Sequence, residues 1–414
     1  MPRADVADSR TPEFIDLEGR YSAHNYHPLD VVIERAEGVW VWDVDGNRYM
    51  DFLAAYSAVN QGHNHPRIVA ALCEQAGRLA LTSRAFRNDQ FGPLCRKLSQ
   101  LTGYDKVLMM NAGAEAVETA IKAARRWGYR VKGVERDKAE IIVFDGNFHG
   151  RTTTIVGFSA DPDSYGDFGP FTPGFVRVPY GDLDAVRAAI NANTVAILVE
   201  PIQGEGGVII PPEDFLPGLR TLCDEHRALL ICDEIQAGLG RCGSIFAHRL
   251  AGVRADGVTI GKALSGGLYP VSAFLADDAV MGVFDPGSHG STYGGNPLAC
   301  AVAGAALDVL TDEKLIERAA ELGAHLDARL RALASSPLVK AVRCVGLWAG
   351  IDLHESAGGA RRFTELLKRE GLLAKGTHVH TIRLAPPLVI SREELDQACD
   401  TLDRVLRQPA AQAS

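Results

Sequence analysis

Between residues 106 and 276 short, nearly continuous apolar runs alternate with amphipathic stretches, and this restricts the fold more than any other feature of the sequence. The runs are Lys106 to Met110, Glu140 to Asp145, Thr194 to Glu200, Leu229 to Asp233, Gly257 to Gly261 and Val271 to Ala276. Helical spacing fills the intervals Glu115 to Trp127, Leu183 to Ile190 and Phe215 to His226. Strands that are apolar throughout, instead of alternating, are covered on both faces. The pattern therefore predicts an α/β fold: a mostly parallel sheet between layers of helices. Ligands in such folds bind beyond the carboxyl ends of the strands, and there the polar motifs cluster. Asn111 to Glu115, Gly146 to Thr152, Glu200 to Glu205, Asp233 to Gln236 and Lys262 each follow a strand, so one shared pocket is expected.

Around this unit the organisation is simpler. Residues 1–20 lack periodicity and read as a loose arm; the runs from Val31 to Asp43, with Asp45-Gly46 as a turn, read as a β-meander. The stretch Tyr56 to His63 is polar and small, a loop more than a core strand. An Ala-rich helix after Asn296-Pro297 and a second from Leu315 to Leu333 lead to short strands around Lys340 to Leu353 and Thr381 to Leu384. The final helix opens at Ser391 with Glu394 three residues on, a capping box. The expected division is residues 1–50 as arm and part of a small domain, 51–305 as the large ligand-binding domain and 306–414 as the C-terminal small domain.

At 414 residues the chain is long enough for a large core, and its net charge of -9 argues against nucleic acid and anionic membranes as partners. No apolar run is long enough to span a bilayer and the first twenty residues show no signal-peptide core, so a cytoplasmic protein is expected. The eight cysteines form no Cys-x-x-Cys pair and read as small buried hydrophobes. His63-Asn64-His65 and His378-Val379-His380 lack a further ligand at zinc spacing, so no metal is expected.

The chemistry must come from an amine, an acid and an anion cradle. Lys262 leaves an apolar run just before small residues, where partial desolvation favours the neutral, nucleophilic amine. Asp233 lies one strand–helix–strand unit earlier, and a buried carboxylate there needs a cationic or hydrogen-bonded partner. The protonated pyridine nitrogen of pyridoxal phosphate would be one, with Lys262 as the Schiff-base lysine. Gly113 and Ala114 open a helix whose N–H groups suit a phosphate, and Phe148 or His149 would stack on a ring. Two nucleotide patterns compete poorly. Gly238 to Gly243 has dinucleotide spacing but no following helix, and Gly257 to Ala263 lacks the spacing and hydroxyl of a P-loop.

The segments Asp233-Glu234-Ile235-Gln236, Gly261 to Gly267 and Gly290 to Pro297 resemble those of class III aminotransferases, pyridoxal-phosphate enzymes of fold type I. Asn25 to Leu29, Tyr56 to His63, Leu81 to Phe86 and Ile382 to Leu388 resemble the branch of that family acting on the δ-amine of ornithine. The resemblance runs from about Tyr21 over nearly the whole chain. It implies transfer of that amine to 2-oxoglutarate by a homodimer with shared active sites. Lys262 would be the cofactor lysine and proton shuttle, Asp233 the partner of the ring nitrogen, Gln236 a neighbour of the phenolic oxygen, and Phe148 a packing surface. Gly113, Ala114 and the partner subunit's Thr292 would bind phosphate. Tyr26 and Arg151 would hold the α-amino acid end of ornithine, Tyr56 would line the pocket, Arg383 would bind the 2-oxoglutarate α-carboxylate, and Glu205 would mask Arg383 while ornithine is present. Ala112, His149, Gly206 and Ala237 depart from common family residues, but none replaces Lys262, Asp233 or the two arginines. Relatives acting on N-acetylornithine or 4-aminobutyrate, a nicotinamide-dependent dehydrogenase and a non-catalytic binding protein are the competing readings.

Overall fold

The computed structural model describes residues 9–407. Its centre is a seven-stranded sheet in the order β4-β10-β9-β8-β7-β5-β6, formed by β4 (Lys106–Met110), β5 (Glu140–Phe144), β6 (Phe175–Val178), β7 (Thr194–Val199), β8 (Leu229–Asp233), β9 (Gly257–Ile260) and β10 (Ser272–Ala276). Only β10 runs against its neighbours. The expected runs thus became strands to within a residue or two, and β6, a four-residue edge strand, is the addition.

The apolar runs are continuous because both faces are buried. Along β5, Ile142 and Phe144 enter one core layer while Ile141 and Val143 enter the other; along β8, Leu230 and Cys232 alternate with Leu229 and Ile231 in the same way. The helix Gly113–Trp127 covers one face and Phe215–His226 the other.

Two smaller sheets flank this one. In the first, β1 (Ile33–Glu37), β2 (Trp40–Asp43) and β3 (Arg48–Asp51) form the expected meander, and β13 (Leu372–Leu373) from the far end of the chain joins it parallel to β3. The second has the order β11 (Val339–Val345), β12 (Trp348–Leu353), β15 (Thr381–Leu384), β14 (Lys375–Thr377). Both chain ends thus contribute to the small α/β part. The capping box is present: Ser391 Oγ accepts from the Glu394 N–H at 3.0 Å and Glu394 Oε2 from the Ser391 N–H at 2.9 Å. No described helix is long and apolar enough to cross a membrane, and no metal-ligand cluster occurs among the described residues.

One expectation is corrected. The supposed loose arm contains a helix, Thr11–Tyr21, that buries none of its residues. It is fixed at its start by Asp45, whose carboxylate accepts from Ser9 Oγ, the Arg10 N–H and Thr11 Oγ1 at 2.6 to 2.7 Å. A helix with no buried stripe leaves no apolar period to read.

Arg241, inside the glycine-rich stretch, shows what that motif does here. Its side chain is fully buried and donates to the carbonyls of Leu347 and Pro386 at 2.8 and 2.6 Å and to Asn60 Oδ1 at 2.5 Å. It ties the loop after β8 to three distant segments. Arg241→Met leaves those acceptors unpaired, and a loss of about 3 kcal/mol is expected, read as a lower urea midpoint.

Candidate active site

The carboxyl ends of β5, β7, β8 and β9 and the start of the helix Gly113–Trp127 enclose a cavity lined by Gly113, Phe148, His149, Glu200, Asp233 and Lys262, with Ala114, Gln236, Gly150, Ile202 and Ile235 completing it. Lys262 is held at its floor. The backbone turns immediately after β9, with Lys262 at φ 45°, a left-handed conformation that a side chain adopts only under constraint. The constraint comes from the segment Val59 to Gln61, packed against the residues that follow the lysine. Gln61 Nε2 donates to the carbonyl of Ala263 at 2.9 Å. Downstream, a Cβ on Gly267 would lie 2.2 Å from Val59 Cγ1, so the small residues after the lysine are required by packing.

Burial, and then the nearby Arg383 charge, push the Lys262 amine down to about 8. Among the described residues the amine has neither a hydrogen bond nor an ion pair, so it stands free within the cavity. Asp233 is its opposite. One carboxylate oxygen accepts from Thr259 Oγ1 at 3.0 Å and the Ile235 N–H at 3.1 Å, and the other receives His149 Nδ1 at 2.7 Å. Burial disfavours the charge on His149, but the hydrogen bond and charge of Asp233 outweigh it and raise the imidazole above its ordinary range. Glu200, at the end of β7, is pushed up to about 7, chiefly by burial, while its oxygens accept from the N–H groups of Phe148 and Gly204 at 2.8 and 3.3 Å. The sequence reading did not single out Glu200; an acid closing an apolar run, as Asp233 does, was the available signal.

At the first turn of the helix, Ala112 has no side chain to cap the N–H groups. Glu115 Oε2 instead reaches back to the N–H groups of Asn111 and Ala112 at 2.8 and 3.0 Å. The N–H groups of Gly113 and Ala114 remain for an anion. Bare glycine keeps this corner open, since a Cβ on Gly150, at φ 123°, would lie 2.7 Å from Ala114 Cβ.

Next to the cavity is a second charge cluster. Arg383, with a fully buried side chain, donates through one nitrogen to Glu205 Oε1 at 2.7 Å and through the other to Gln236 Oε1 at 2.6 Å. Gln236 Nε2 returns to Glu205 Oε1 at 3.3 Å. Burial opposes the Glu205 charge, but Arg383, then Lys375 and Lys262, outweigh it and lower its pKa. Trp348 and Tyr56 flank the Arg383 guanidinium at 5.4 and 5.6 Å. Tyr56 arrives there on four consecutive left-handed residues, Ala54 to Ser57 at φ 49°, 45°, 60° and 72°, a turn costing roughly 1–2 kcal/mol per residue. Asp51 Oδ1, accepting from the Leu53 and Ala54 N–H groups at 2.8 and 3.0 Å, helps to hold it.

Three expected site residues lie outside these walls. Tyr26 is 72% exposed on the segment before β1. Arg151 is exposed, 5.9 Å above the ring of Phe148. Thr292 is exposed on the loop before the helix Pro297–Asp312 and does not line the cavity of its own chain.

A family model for class-III aminotransferases matches residues 21–406. The ornithine aminotransferase of Bordetella pertussis is 57% identical over 398 residues, 96% of each chain. This chain belongs to the class-III aminotransferases. Among solved structures, an ornithine aminotransferase of Toxoplasma gondii, with partial occupancy of pyridoxal phosphate at its active site, matches with TM-score 0.94 and 45% identity, over 96% of this chain and 94% of that one. An acetylornithine aminotransferase of Elizabethkingia anophelis matches with TM-score 0.87 and 48% identity, over 96% and 99%.

Class-III aminotransferases depend on pyridoxal phosphate, and the residues present fit it. A free buried amine, a buried carboxylate and an open helix start face one cavity, matching the aldehyde, ring nitrogen and phosphate of the cofactor. His149 Nε2 is buried without a partner among the described residues.

Lys262 loses reactivity as pH falls through about 8, because protonation removes its lone pair. Covalent uptake of pyridoxal phosphate by cofactor-free protein, followed by absorbance, is expected to slow about tenfold per pH unit well below that value and to level off above it. A rate still climbing between about pH 9 and pH 10.5 would indicate an ordinary lysine, and Lys262→Ala should take up no cofactor covalently.

Proposed function

We propose that this chain transfers the δ-amino group of L-ornithine to 2-oxoglutarate in ping-pong order, giving glutamate and glutamate 5-semialdehyde, which cyclises to pyrroline-5-carboxylate. The ion pair of Glu205 and Arg383 beside the cavity carries the reading. An uncovered Arg383 would attract ornithine's own α-carboxylate and present the wrong amine. Neutralised by Glu205, it no longer does. With Glu205 turned away, the same guanidinium takes a carboxylate of 2-oxoglutarate through two nitrogens.

When bound, pyridoxal phosphate supplies the carbonyl that carries the amino group and a ring that accepts the electron pair left by a departing proton. Lys262 holds the cofactor, and its Nζ moves a proton to and from the carbon bearing the transferred amine. Asp233, whose oxygens accept from Thr259 Oγ1 and the Ile235 N–H and meet His149 Nδ1, would pair with the ring nitrogen and keep it protonated. Gly113 and Ala114 receive the phosphate, with Thr292 contributed by a second copy of the chain in a homodimer, in keeping with its position outside its own chain's cavity. Phe148 packs beside the ring. Tyr26 and Arg151 grip the α-amino acid end of ornithine at the mouth, and Tyr56 closes the wall against Arg383.

The acetylornithine relative at 48% identity gives a second reading, with N-acetylornithine as donor. Paired assays separate the two. Purified holoenzyme with ornithine and 2-oxoglutarate should yield trapped pyrroline-5-carboxylate, with kcat/KM at least about tenfold above that for N-acetylornithine; the reverse order would favour the second reading. Glu205→Ala should raise the glutamate half-reaction relative to the ornithine one by about tenfold or more, and an unchanged ratio would exclude the masking role.

A further inference from the structure

Glu205 lies between two cations, and the function above uses only one. Its Oε1 pairs with Arg383 at 2.7 Å, and its Oε2 lies 3.7 Å from Lys375 Nζ. The two cations are placed together by the sheet. Lys375 on β14 and Arg383 on β15 are direct antiparallel partners, so their side chains leave the sheet on the same face. Like charges directly opposite on neighbouring strands repel. Here a carboxylate sits between them, and the Tyr56 ring lies 4.6 Å from the ammonium and 5.6 Å from the guanidinium.

Their surroundings differ. The Arg383 side chain is fully buried and fixed to Gln236, whereas that of Lys375 is 38% exposed. The backbone under Glu205 is also fixed. Thr377 Oγ1 donates to the Glu205 carbonyl at 2.6 Å, and Arg343 donates to the carbonyls of Gly207 and Val208 at 2.9 to 3.2 Å while Asp352 holds its guanidinium. Any change of partner by Glu205 must therefore be a rotation of its side chain.

The proposed function requires Glu205 to leave Arg383 when the carboxylate of the oxo acid arrives, and the present inference rests on that reading. A largely buried carboxylate separated from its cation is costly unless another takes it. We infer that Lys375 is that second seat: Glu205 rotates onto Lys375 while Arg383 binds the oxo acid. Lys375 is then a positioning residue for one half-reaction only, since it acts through Glu205. No covalent bond changes in the step.

Single-turnover kinetics of the holoenzyme test this, with ornithine and, separately, with 2-oxoglutarate added to the aminated form. Lys375→Gln and Lys375→Met are expected to leave kcat/KM for ornithine within about twofold and to raise the KM for 2-oxoglutarate roughly tenfold, and Lys375→Arg to restore it. In a Glu205→Gln background, where no carboxylate needs a seat, replacing Lys375 should add no further loss. Equal losses in both half-reactions, an unchanged KM for 2-oxoglutarate, or a loss persisting in that background would each overturn the inference. A wild type inert toward ornithine overturns the substrate reading instead, so the two failures are distinguishable.

Discussion

Charged groups withdrawn from water beneath the carboxyl ends of the parallel strands set the terms for the rest of this structure. Burial alone would neutralise Lys262, protonate Glu200 and Glu205, and leave the Arg383 guanidinium costly. What differs among them is the compensation. Asp233 has Thr259, a backbone N–H and His149; Glu205 has Arg383 and Lys375; Glu200 has only two backbone N–H groups and is pushed up to about 7; Lys262 has no direct partner among the described residues, and its ordinary charge is weakened too. The scaffold thus leaves one amine without a partner among groups that each have at least one hydrogen-bond donor or counter-charge, as covalent chemistry with a carbonyl requires.

The same constraint accounts for strained backbone close to the site. Lys262 sits in a left-handed conformation, as do the four residues carrying Tyr56. Neither would persist in an isolated loop. The strain is held by Gln61 on one turn and Asp51 on the other. Polar residues between Tyr56 and His63 therefore act largely as supports, fixing the lysine turn and, through Asn60, the Arg241 knot.

Much of the fold was legible because burial on both faces writes an unbroken apolar run into each central strand. The helix Leu315–Leu333 and the Ser391 cap were legible too, since period and capping chemistry are local. The short edge strand β6 has too few residues to show a pattern, the helix Thr11–Tyr21 has no buried face to mark it, and the left-handed turn at Ala54 to Ser57 carries no glycine or asparagine. Gln236 was expected beside the cofactor. It lines the cavity, but its amide is occupied by Arg383 and Glu205.

By itself the sequence determined the strand ends and the residue types on them, because covalent order puts Asp233, Lys262 and the Gly113 turn directly after apolar runs. It also carried the family resemblance. Tertiary structure alone decided which charges meet. Glu205 and Arg383 are 178 residues apart in sequence, and Lys375 gains its place only through the register of β14 on β15. A pairing register fixes which side chains share a face, and no local propensity encodes it across loops.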